Sequence, residues 1–259
     1  MPAFSELVTP VVLTRDEAPN IGRTLGQLTW AREVIVVDSF STDATAEIVA
    51  TFPNARLVQR RFDDLATQWT FAVSLATTPW VLTLDADYYL PDRTLLEIAR
   101  LEPPPMVHAY EVEFTYAIRG RPLRRSLYPP RAVLLRRGHF EFYMDGHTQR
   151  VRISGITGRL EGRIVHDDRK PLGAFIARQR RYMRDEAAKL RATPMRDLPL
   201  SGRVRKLVVV APFAVLLHTL FVQRLVFSGP AGWYYAFERA LAEGILSLEL
   251  LGLGSRNRS

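Results

Sequence analysis

The first hundred residues alternate between short apolar runs and segments in which apolar residues recur every three or four positions. The apolar runs, several of them rich in β-branched residues, predict strands at Glu6–Thr14, Glu33–Asp38, Ala55–Gln59 and Trp80–Leu84. The segments between them predict helices. Alternation of strands and helices with short connections predicts a parallel sheet whose strands are joined by right-handed crossovers.

Polar residues mark where these helices are expected to begin, because Ser, Thr, Asp and Asn accept hydrogen bonds from the free N–H groups of a first helical turn. The predicted caps are Asn20 for the first helix, Ser41 or Thr42 for the second and Asp63 or Asp64 for the third.

The pattern changes after Pro91. A further helix is predicted as far as about Leu101, and strands are predicted at Val107–Ile118 and Ala132–Arg136, on either side of the turn-rich sequence RGRP. These later strands predict a mixed sheet with an antiparallel addition to the parallel part.

The last third of the chain is basic and then apolar. A basic amphipathic helix is predicted at Leu172–Leu190, and apolar segments follow at Lys206–Phe227 and Trp233–Leu253. A bilayer span needs about 20 apolar residues, and the first segment is interrupted by Pro212, His218, Gln223 and Arg224. We therefore expect helices that lie in or dip into a membrane interface, with the core of a small helical domain and a true span as the alternatives.

Composition narrows the function classes. With 47% hydrophobic and 24% charged residues, the 259-residue chain can bury a sizeable core. It has no cysteine, which excludes a disulfide framework, a zinc–cysteine site and a thiol nucleophile. The net charge of +8 suggests nucleic acid, anionic lipid or a phosphorylated substrate as partner. The N-terminal sequence lacks the features of a signal peptide.

Polar residues follow three of the predicted parallel strands, where ligands of open parallel sheets bind. They are Thr14, Arg15 and Glu17 after the first strand, Asp38 and Ser39 after the second, and Asp85 and Asp87 after the fourth. Asp85 and Asp87 would share one face of a strand and repel each other unless they are solvated or share a cation. Carboxylate pairs suit Mg²⁺ or Mn²⁺, and the glycine motifs of dinucleotide and Walker-type sites are missing.

Three motifs together resemble those of family 2 glycosyltransferases of the GT-A fold. They are TPVVLTRDEAPNIGRTL, EVIVVDSFSTDAT and WVLTLDADYYLP, and the resemblance is strong over Glu6 to Asp92 and weaker through DGHTQRV and IVHDD. With QRRYMRDEA, the later motifs look most like the bacterial branch that includes lipopolysaccharide-core glucosyltransferases. The resemblance implies a Rossmann-like mixed α/β sheet with helices on both faces, here followed by C-terminal apolar helices.

The resemblance also implies roles for individual residues. Asp38 would bind the nucleobase, Asp85 the ribose or the metal, and Asp87 the metal on the diphosphate, with His166 approaching the diphosphate or metal. The nucleotide-binding set is Thr14, Arg15, Glu17, Asp38, Ser39 and Asp85. The metal set, for Mn²⁺ or Mg²⁺, is Asp87, Asp85 and His166.

The chain departs from the family pattern at two places. Many relatives have His-Glu where this chain has His147-Thr148, so Asp145 is the expected catalytic base, with Glu141 next in line. Relatives often have a Gln-Arg-Asn sequence where this chain has Gln68-Trp69-Thr70, which removes one expected phosphate contact.

The resulting hypothesis is an inverting, metal-assisted glycosyltransferase that uses a nucleotide-diphosphate sugar and a lipid-linked or cell-envelope glycan acceptor. It would act at an anionic membrane surface, on the cytoplasmic face of a bacterial inner membrane, without binding nucleic acid. The predicted divisions are a catalytic domain at 1–170, a basic helix and linker at 171–205, and membrane-associated helices at 206–259. The alternatives are a nucleotidyltransferase and a non-catalytic basic module that binds membrane or nucleic acid.

Overall fold

A computed structural model of the chain describes residues 4–124, 129–145 and 148–253, with only the backbone described at Asp145 and Thr148. The chain divides into two compact units. The first comprises the described residues within Met1–Ala117 and Ser126–Arg169, and the second those within Ile118–Arg125 and Lys170–Ser259.

Eleven strands occur in the described residues. They are β1 (Val8–Thr14), β2 (Val34–Asp38), β3 (Ala55–Gln59), β4 (Trp80–Asp85), β5 (Tyr88–Tyr89), β6 (Val107–Ile118), β7 (Arg121–Pro122), β8 (Arg131–Arg136), β9 (Phe140–Asp145), β10 (Thr148–Ile153) and β11 (Ile156–His166).

Eight α-helices accompany these strands within the same described ranges. They are α1 (Ile21–Gly26), α2 (Thr45–Ala50), α3 (Leu65–Ser74), α4 (Asp92–Ala99), α5 (Leu172–Ala192), α6 (Leu200–Lys206), α7 (Val210–Leu217) and α8 (Gly229–Leu250). A π-helical turn follows α7 at His218–Val222, and a 3₁₀ turn precedes α8 at Leu225–Ser228.

The main sheet has strands in the order β3-β2-β1-β4-β8-β6-β11-β5. The first four are parallel to one another, β8 is antiparallel to both β4 and β6, and β11 is parallel to β6. The prediction of a mixed sheet with an antiparallel addition is therefore confirmed. The parallel half ends where β4 meets β8, and the candidate acids belong to that half.

Helices cover both faces of this sheet. On one face Val12, Val36 and Leu84 pack with Ile21 and Leu25 of α1. On the other face Val11, Ile35 and Val81 pack with Trp69 and Ala72 of α3. Successive strand residues point to opposite faces, so a strand covered on both sides must be apolar throughout, as β2 is up to its final aspartate.

Two of the predicted helix caps lie at the N-cap position. Asp64 accepts a hydrogen bond from Thr67 N–H at the start of α3 (2.9 Å). Asn20 is the N-cap residue of α1, as predicted, but its side chain makes no cap hydrogen bond. Helix α2 begins after Ala44, so the cap predictions at Ser41 and Thr42 were wrong.

The second unit is helical. Ala187 and Leu190 of α5 pack with Leu246 of α8 and with Leu198 in a small core. No single helix among the described residues has both the length and the apolar composition to cross a membrane. The segments Val210–Val222 and Leu225–Leu250 together have that length and composition, but the chain changes direction by 73° at the break between them.

Candidate active site

Three parallel strands end side by side and bring their last polar residues to one edge of the sheet. In the pairing of β1 with its neighbours, Thr14 lies beside Asp38 of β2, and Leu13 lies beside Asp85 of β4. The hydroxyl of Thr14 is buried and has no hydrogen-bond partner among the described residues. A buried hydroxyl is costly to leave unsatisfied, so this edge is suited to receive a polar ligand.

Asp38 is completely buried and organises the loop that follows β2. Its carboxylate accepts hydrogen bonds from Ser41 N–H (2.9 Å), from the Ser41 hydroxyl and from Gln59 Nε2 (3.3 Å). In the same loop, Ser39 N–H donates to the Thr14 carbonyl at 2.9 Å. The structure thus places Asp38 and Ser39 together with Thr14, and gives Asp38 a role in holding the loop.

The loops after β1 and β2 hold each other in place. Asp16 has a left-handed backbone conformation (φ 52°), its N–H donates to the Ser41 hydroxyl (2.8 Å), and its carboxylate accepts from Thr42 N–H (2.7 Å). Arg15 is about half exposed and lies 3.9 Å from the Asp16 carboxylate. Glu17 accepts a hydrogen bond from Asn20 Nδ2 (2.8 Å). Arg15 and Glu17 therefore flank the strand end on a loop that is already braced.

An arginine lies next to the Gln68-Trp69-Thr70 sequence. Gln68 Nε2 donates to the Ser39 hydroxyl (3.2 Å), and Arg60 Nη1 donates to Gln68 Oε1. Trp69 is buried in the core beneath the sheet. The family pattern predicts an arginine at position 69. Here the guanidinium close to Gln68 belongs instead to Arg60, just after the end of β3.

Asp87 and His166 are in polar contact with each other just beyond the end of β4. His166 Nε2 lies 3.0 Å from Asp87 Oδ2, and its ring lies between those of Tyr88 (5.3 Å) and Tyr116 (4.3 Å). Burial raises the pKa of Asp85 and the carboxylate of Asp87 raises it further, against the opposing hydrogen bond from Tyr88. Burial alone would lower the pKa of His166, but the attraction of Asp87 and Asp85 outweighs it, so that pKa is raised.

These three side chains fit part of a metal coordination shell. Within residues 4–124, 129–145 and 148–253, no three His, Cys, Asp or Glu side chains are arranged so that they could hold a metal ion by themselves. Mg²⁺ in particular is commonly held by one or two carboxylates, with water and substrate phosphates completing the shell. The repulsion that raises the pKa of Asp85 is what a divalent cation would relieve, so the acids fit a cation that arrives with a phosphorylated ligand.

Helix α1 braces the segment that carries Asp87, which the sequence did not reveal. The Thr24 hydroxyl donates to the carbonyls of Ala86 (2.6 Å) and Tyr88 (3.0 Å). Gln27 Nε2 donates to the Tyr88 carbonyl (3.0 Å), and its Oε1 accepts from Leu90 N–H. The backbone around Asp87 is therefore fixed by side chains from α1.

Arg23 of α1 connects this segment to the end of β11. Its guanidinium pairs with the Asp167 carboxylate and donates to the carbonyls of Asp167 (2.7 Å) and Asp87 (3.4 Å). Asp167 N–H also donates to the Asp87 carbonyl (3.1 Å). Arg23 and Gln27 are four residues apart, which is the spacing of side chains on one helix face. Those two polar residues were the sequence signal that could have identified this contact between α1 and the site.

The predicted base lies at the limit of the described structure. Asp145 is the last residue of β9, but its side chain lies outside the described part of the chain, as does His147. Glu141, the second candidate, pairs with Arg152 across the β9–β10 hairpin (3.1 Å) and is exposed. The proton acceptor therefore stays a prediction.

A cavity of about 600 Å³ lies at the opposite end of the parallel strands. Its lining includes Glu6, Thr9, Arg32, Asn54 and Thr78. None of the predicted site residues takes part in it, and ligands of open parallel sheets bind at the other, carboxyl end. We therefore place the candidate site at the carboxyl edge and not in this cavity.

Comparison with known sequences agrees with the motifs. Residues 10–102 match the model of Glycosyl transferase family 2. The lipopolysaccharide core biosynthesis glycosyltransferase LpsC of Rhizobium meliloti (strain 1021) is 31% identical over 91 residues, which cover 34% of this chain and 33% of LpsC. An uncharacterized glycosyltransferase of Rickettsia conorii is 34% identical over 86 residues, 33% of this chain and 30% of that protein. The chain thus spans about a third of the length of these curated relatives.

Solved structures with related coordinates have low sequence identity. A mannosyltransferase from Pyrobaculum calidifontis, in complex with GDP-Man and Mn²⁺, is 18% identical, with a TM-score of 0.49 over 97% of this chain and 89% of that one. TarS 1–349 of S. aureus, in complex with UDP-GlcNAc, is 14% identical, with a TM-score of 0.46 over 93% and 89%.

Proposed function

We propose that the chain transfers a sugar from a nucleotide-diphosphate sugar to an acceptor hydroxyl, because residues 10–102 match the model of Glycosyl transferase family 2. The observation that carries this proposal is the shared strand edge, where Thr14, Asp38 and Asp85 end neighbouring parallel strands. Asp87 and His166 extend that edge.

The nucleotide would lie across the ends of β1 and β2. The unsatisfied Thr14 hydroxyl and the braced loops with Arg15, Glu17 and Ser39 line this position. Asp38 fixes the loop that meets the base, since its carboxylate is already hydrogen-bonded to Ser41 and Gln59.

The diphosphate would lie next to Asp85 and Asp87. A Mn²⁺ or Mg²⁺ ion held there by Asp87 and Asp85, with the substrate diphosphate completing its ligands, would neutralise charge that builds on the leaving diphosphate. His166 donates a hydrogen bond to the Asp87 carboxylate and so fixes its orientation. Arg60 adds positive charge beside Gln68 at the same edge.

The transfer itself is proposed to invert the anomeric carbon. The acceptor oxygen forms a bond to that carbon while the carbon–oxygen bond to the diphosphate breaks, and the acceptor proton passes to a carboxylate base. Asp145 is the proposed base. A positioned general base contributes about 10²–10⁴-fold to such a step.

The acceptor is proposed to be a lipid-linked or cell-envelope glycan, at the cytoplasmic face of a bacterial inner membrane. The lipopolysaccharide assignment of LpsC and the basic, apolar C-terminal third of the chain support this choice. A protein that binds an anionic membrane would meet such an acceptor where it is anchored.

To test the activity, the full chain is incubated with UDP-, GDP- and dTDP-sugars, with and without Mn²⁺. Slow hydrolysis is measured as the release of free sugar. Thermal shift with the same compounds identifies the donor, because a ligand at 100 times its Kd stabilises by about 2.7 kcal/mol. Hydrolysis with one donor, dependent on metal, is expected. Release of pyrophosphate from a nucleoside triphosphate and a sugar 1-phosphate, supplied in a parallel assay, would indicate a nucleotidyltransferase. The absence of both turnover and thermal shift would indicate a binding module.

A further inference from the structure

Ten large apolar side chains between Leu207 and Phe237, in the second unit, are each more than half exposed to solvent. We call them the apolar ridge. They are Leu207, Val209, Val210, Phe213, Leu217, Phe221, Val222, Phe227, Trp233 and Phe237. Single exposed apolar residues are ordinary on protein surfaces, but so many aromatic and aliphatic side chains within one short stretch mark an interaction surface.

The ridge follows helical spacing. Val210, Phe213, Leu217 and Phe221 recur every three or four positions through α7 and the π turn, and they are exposed, whereas Leu220 of the same stretch is buried. Trp233 and Phe237 are four apart on α8. One face of these helices packs inside the unit. The exposed face is also apolar, whereas the exposed face of a helix in water is usually polar.

Acidic residues are missing from this stretch of sequence, because none occurs between Asp197 and Glu238. Two of the three acids on α8, Glu243 and Glu249, are buried, whereas Glu238 is partly exposed. Glu243 is buried and pairs with Arg205 (2.8 Å), and Arg205 also pairs with Glu186 (3.1 Å). Glu249 lies near Arg184.

Exposed arginines lie close to residues of the ridge. Arg124 N–H donates to the Ser228 hydroxyl just before α8 (3.1 Å), and the Arg119 guanidinium lies 5.9 Å from the Tyr234 ring centre. Arg121 and Arg224 are exposed as well, and we call these four arginines the basic rim.

We propose that the apolar ridge and its basic rim dock the protein onto an anionic lipid bilayer, with the ridge inserted into the interface without crossing it. The absence of acid and the basic rim match anionic headgroups, and the aromatic and aliphatic side chains match the boundary with the acyl chains. A second copy of the chain is the competing occupant, and the experiment below distinguishes it from a bilayer.

Insertion without crossing follows from the shape of the segment. The two apolar helical stretches change direction by 73°, and exposed Arg224 stands at the break between them. An arginine near the interface keeps its charge at the headgroups, whereas at the bilayer centre it is expensive. The inference deepens the proposed function by naming the membrane-binding surface.

The test is flotation of the full chain with vesicles of phosphatidylglycerol and phosphatidylcholine, or of phosphatidylcholine alone, at low and high salt. Insertion is read from quenching of tryptophan fluorescence by acyl chains brominated near the headgroup. Trp233 is 52% exposed, whereas Trp69 and Trp80 are buried and Trp30 is partly buried, so Trp233→Phe should remove most of the quenching.

The decisive variant is Phe213→Glu, with Met106→Glu as its control, since the two side chains are 65% and 63% exposed and Met106 lies in the first unit. Phe213→Glu should weaken partitioning into anionic vesicles by at least about tenfold, and Met106→Glu should leave it unchanged. Binding that needs anionic lipid and is quenched at Trp233 supports the proposal.

Two outcomes would overturn it. One is a full chain that stays unbound at low salt, and the other is a concentration-dependent dimer that Phe213→Glu dissociates. Hydrolysis of the nucleotide-sugar in solution is measured on the same preparations. Failure of the proposed activity, with flotation retained, is thereby told apart from failure of membrane docking.

Discussion

Asp87 is held from two directions at the candidate site. His166 contacts its carboxylate, while Arg23 and Asp167 N–H reach its backbone carbonyl. The side chain that the proposed metal requires is thus oriented by residues that are 64 and 79 positions away from it in sequence. Pre-oriented ligands lose less freedom when a ligand binds, which is why surrounding hydrogen bonds tune metal affinity.

Replacing Asp87 by Asn tests the metal assignment. The amide keeps the shape of the side chain but loses the charge that a hard cation needs, so Mn²⁺-dependent nucleotide binding should weaken by about 10²-fold or more. Titration calorimetry with nucleoside diphosphate and Mn²⁺ measures this. Glu33→Gln is the control, because Glu33 lies at the other end of the sheet. Unchanged metal-dependent binding in the Asp87 variant would exclude the assignment.

Arg23→Lys tests whether α1 positions the site. A lysine keeps the charge but cannot bind the Asp167 carboxylate and two carbonyls at once, as the guanidinium does. We expect the Kd for nucleotide with Mn²⁺ to rise about tenfold, with a smaller loss without metal.

The matched control for Arg23 is Arg56→Lys, since Arg56 forms an exposed pair with Glu33. A purely structural role would lower the Tm of the Arg23 variant and leave its metal-dependent Kd unchanged. That result would contradict positioning.

Asp145→Asn tests the proposed base. Turnover should fall by about 10²-fold or more while donor affinity stays nearly constant, because a general base acts in the transition state and not in donor binding. Steady-state transfer and equilibrium donor binding are both needed. Turnover close to that of the wild type would move attention to Glu141.

The sequence predicted which acids meet at this edge, because alternation of strands and helices fixes where parallel strands end. It could not predict the side chains that hold these acids in place. Arg23 binds Asp167 from 144 positions away, a pairing that arises only once β11 lies in the sheet. The predicted cap at Ser41 failed for the same reason, since its hydroxyl accepts a hydrogen bond from Asp16 N–H in another loop. Asn20 lies at the N-cap position of α1, but its side chain binds Asp168 instead of capping the helix.

At the scale of elements, strands with a short apolar or an alternating sequence pattern were the most predictable. Ala55–Gln59 and Val107–Ile118 were predicted to the residue. β9, β10 and β11 were missed, since their charged and glycine-containing sequences, such as ITGRLEGRIVH, have weak alternation. β11 is instead held by pairing with β6, with register shifts along the way. Whether such a segment forms a strand depends on the neighbouring strands with which it pairs, and a local sequence pattern does not contain that information.

Two glycines of α8 give a matched test of helix packing. A Cβ at Gly232 would lie 1.9 Å from the Leu225 carbonyl oxygen, whereas one at Gly244 would meet nothing within 4 Å. Gly232→Ala should therefore destabilise the protein by about 1–3 kcal/mol through overpacking. Gly244→Ala should stabilise it by about 0.5–1 kcal/mol through helix propensity.

Denaturant unfolding of both variants measures the difference. Equal effects would show that α8 does not approach the preceding turn as closely as the structure has it.

At the scale of the whole molecule, the two units are not consecutive in sequence. Residues 118–125 belong to the second unit although the chain then returns to the first. Leu123 is buried there, and Arg124 bonds to Ser228. A specific protease site inserted between Arg169 and Lys170, where the chain has no helix or strand, should therefore yield two fragments that co-elute in native gel filtration. Denaturant should separate them, and separation without denaturant would contradict this division.

This threading limits how the gene can be rearranged. The chain passes between units three times, after Ala117, after Arg125 and after Arg169. A single recombination event near residue 170 would replace the C-terminal helices but keep residues 118–125, which belong to the original second unit. Natural exchange of the C-terminal helices would then have to carry that short insert along, so we expect the insert and the C-terminal helices to be inherited together.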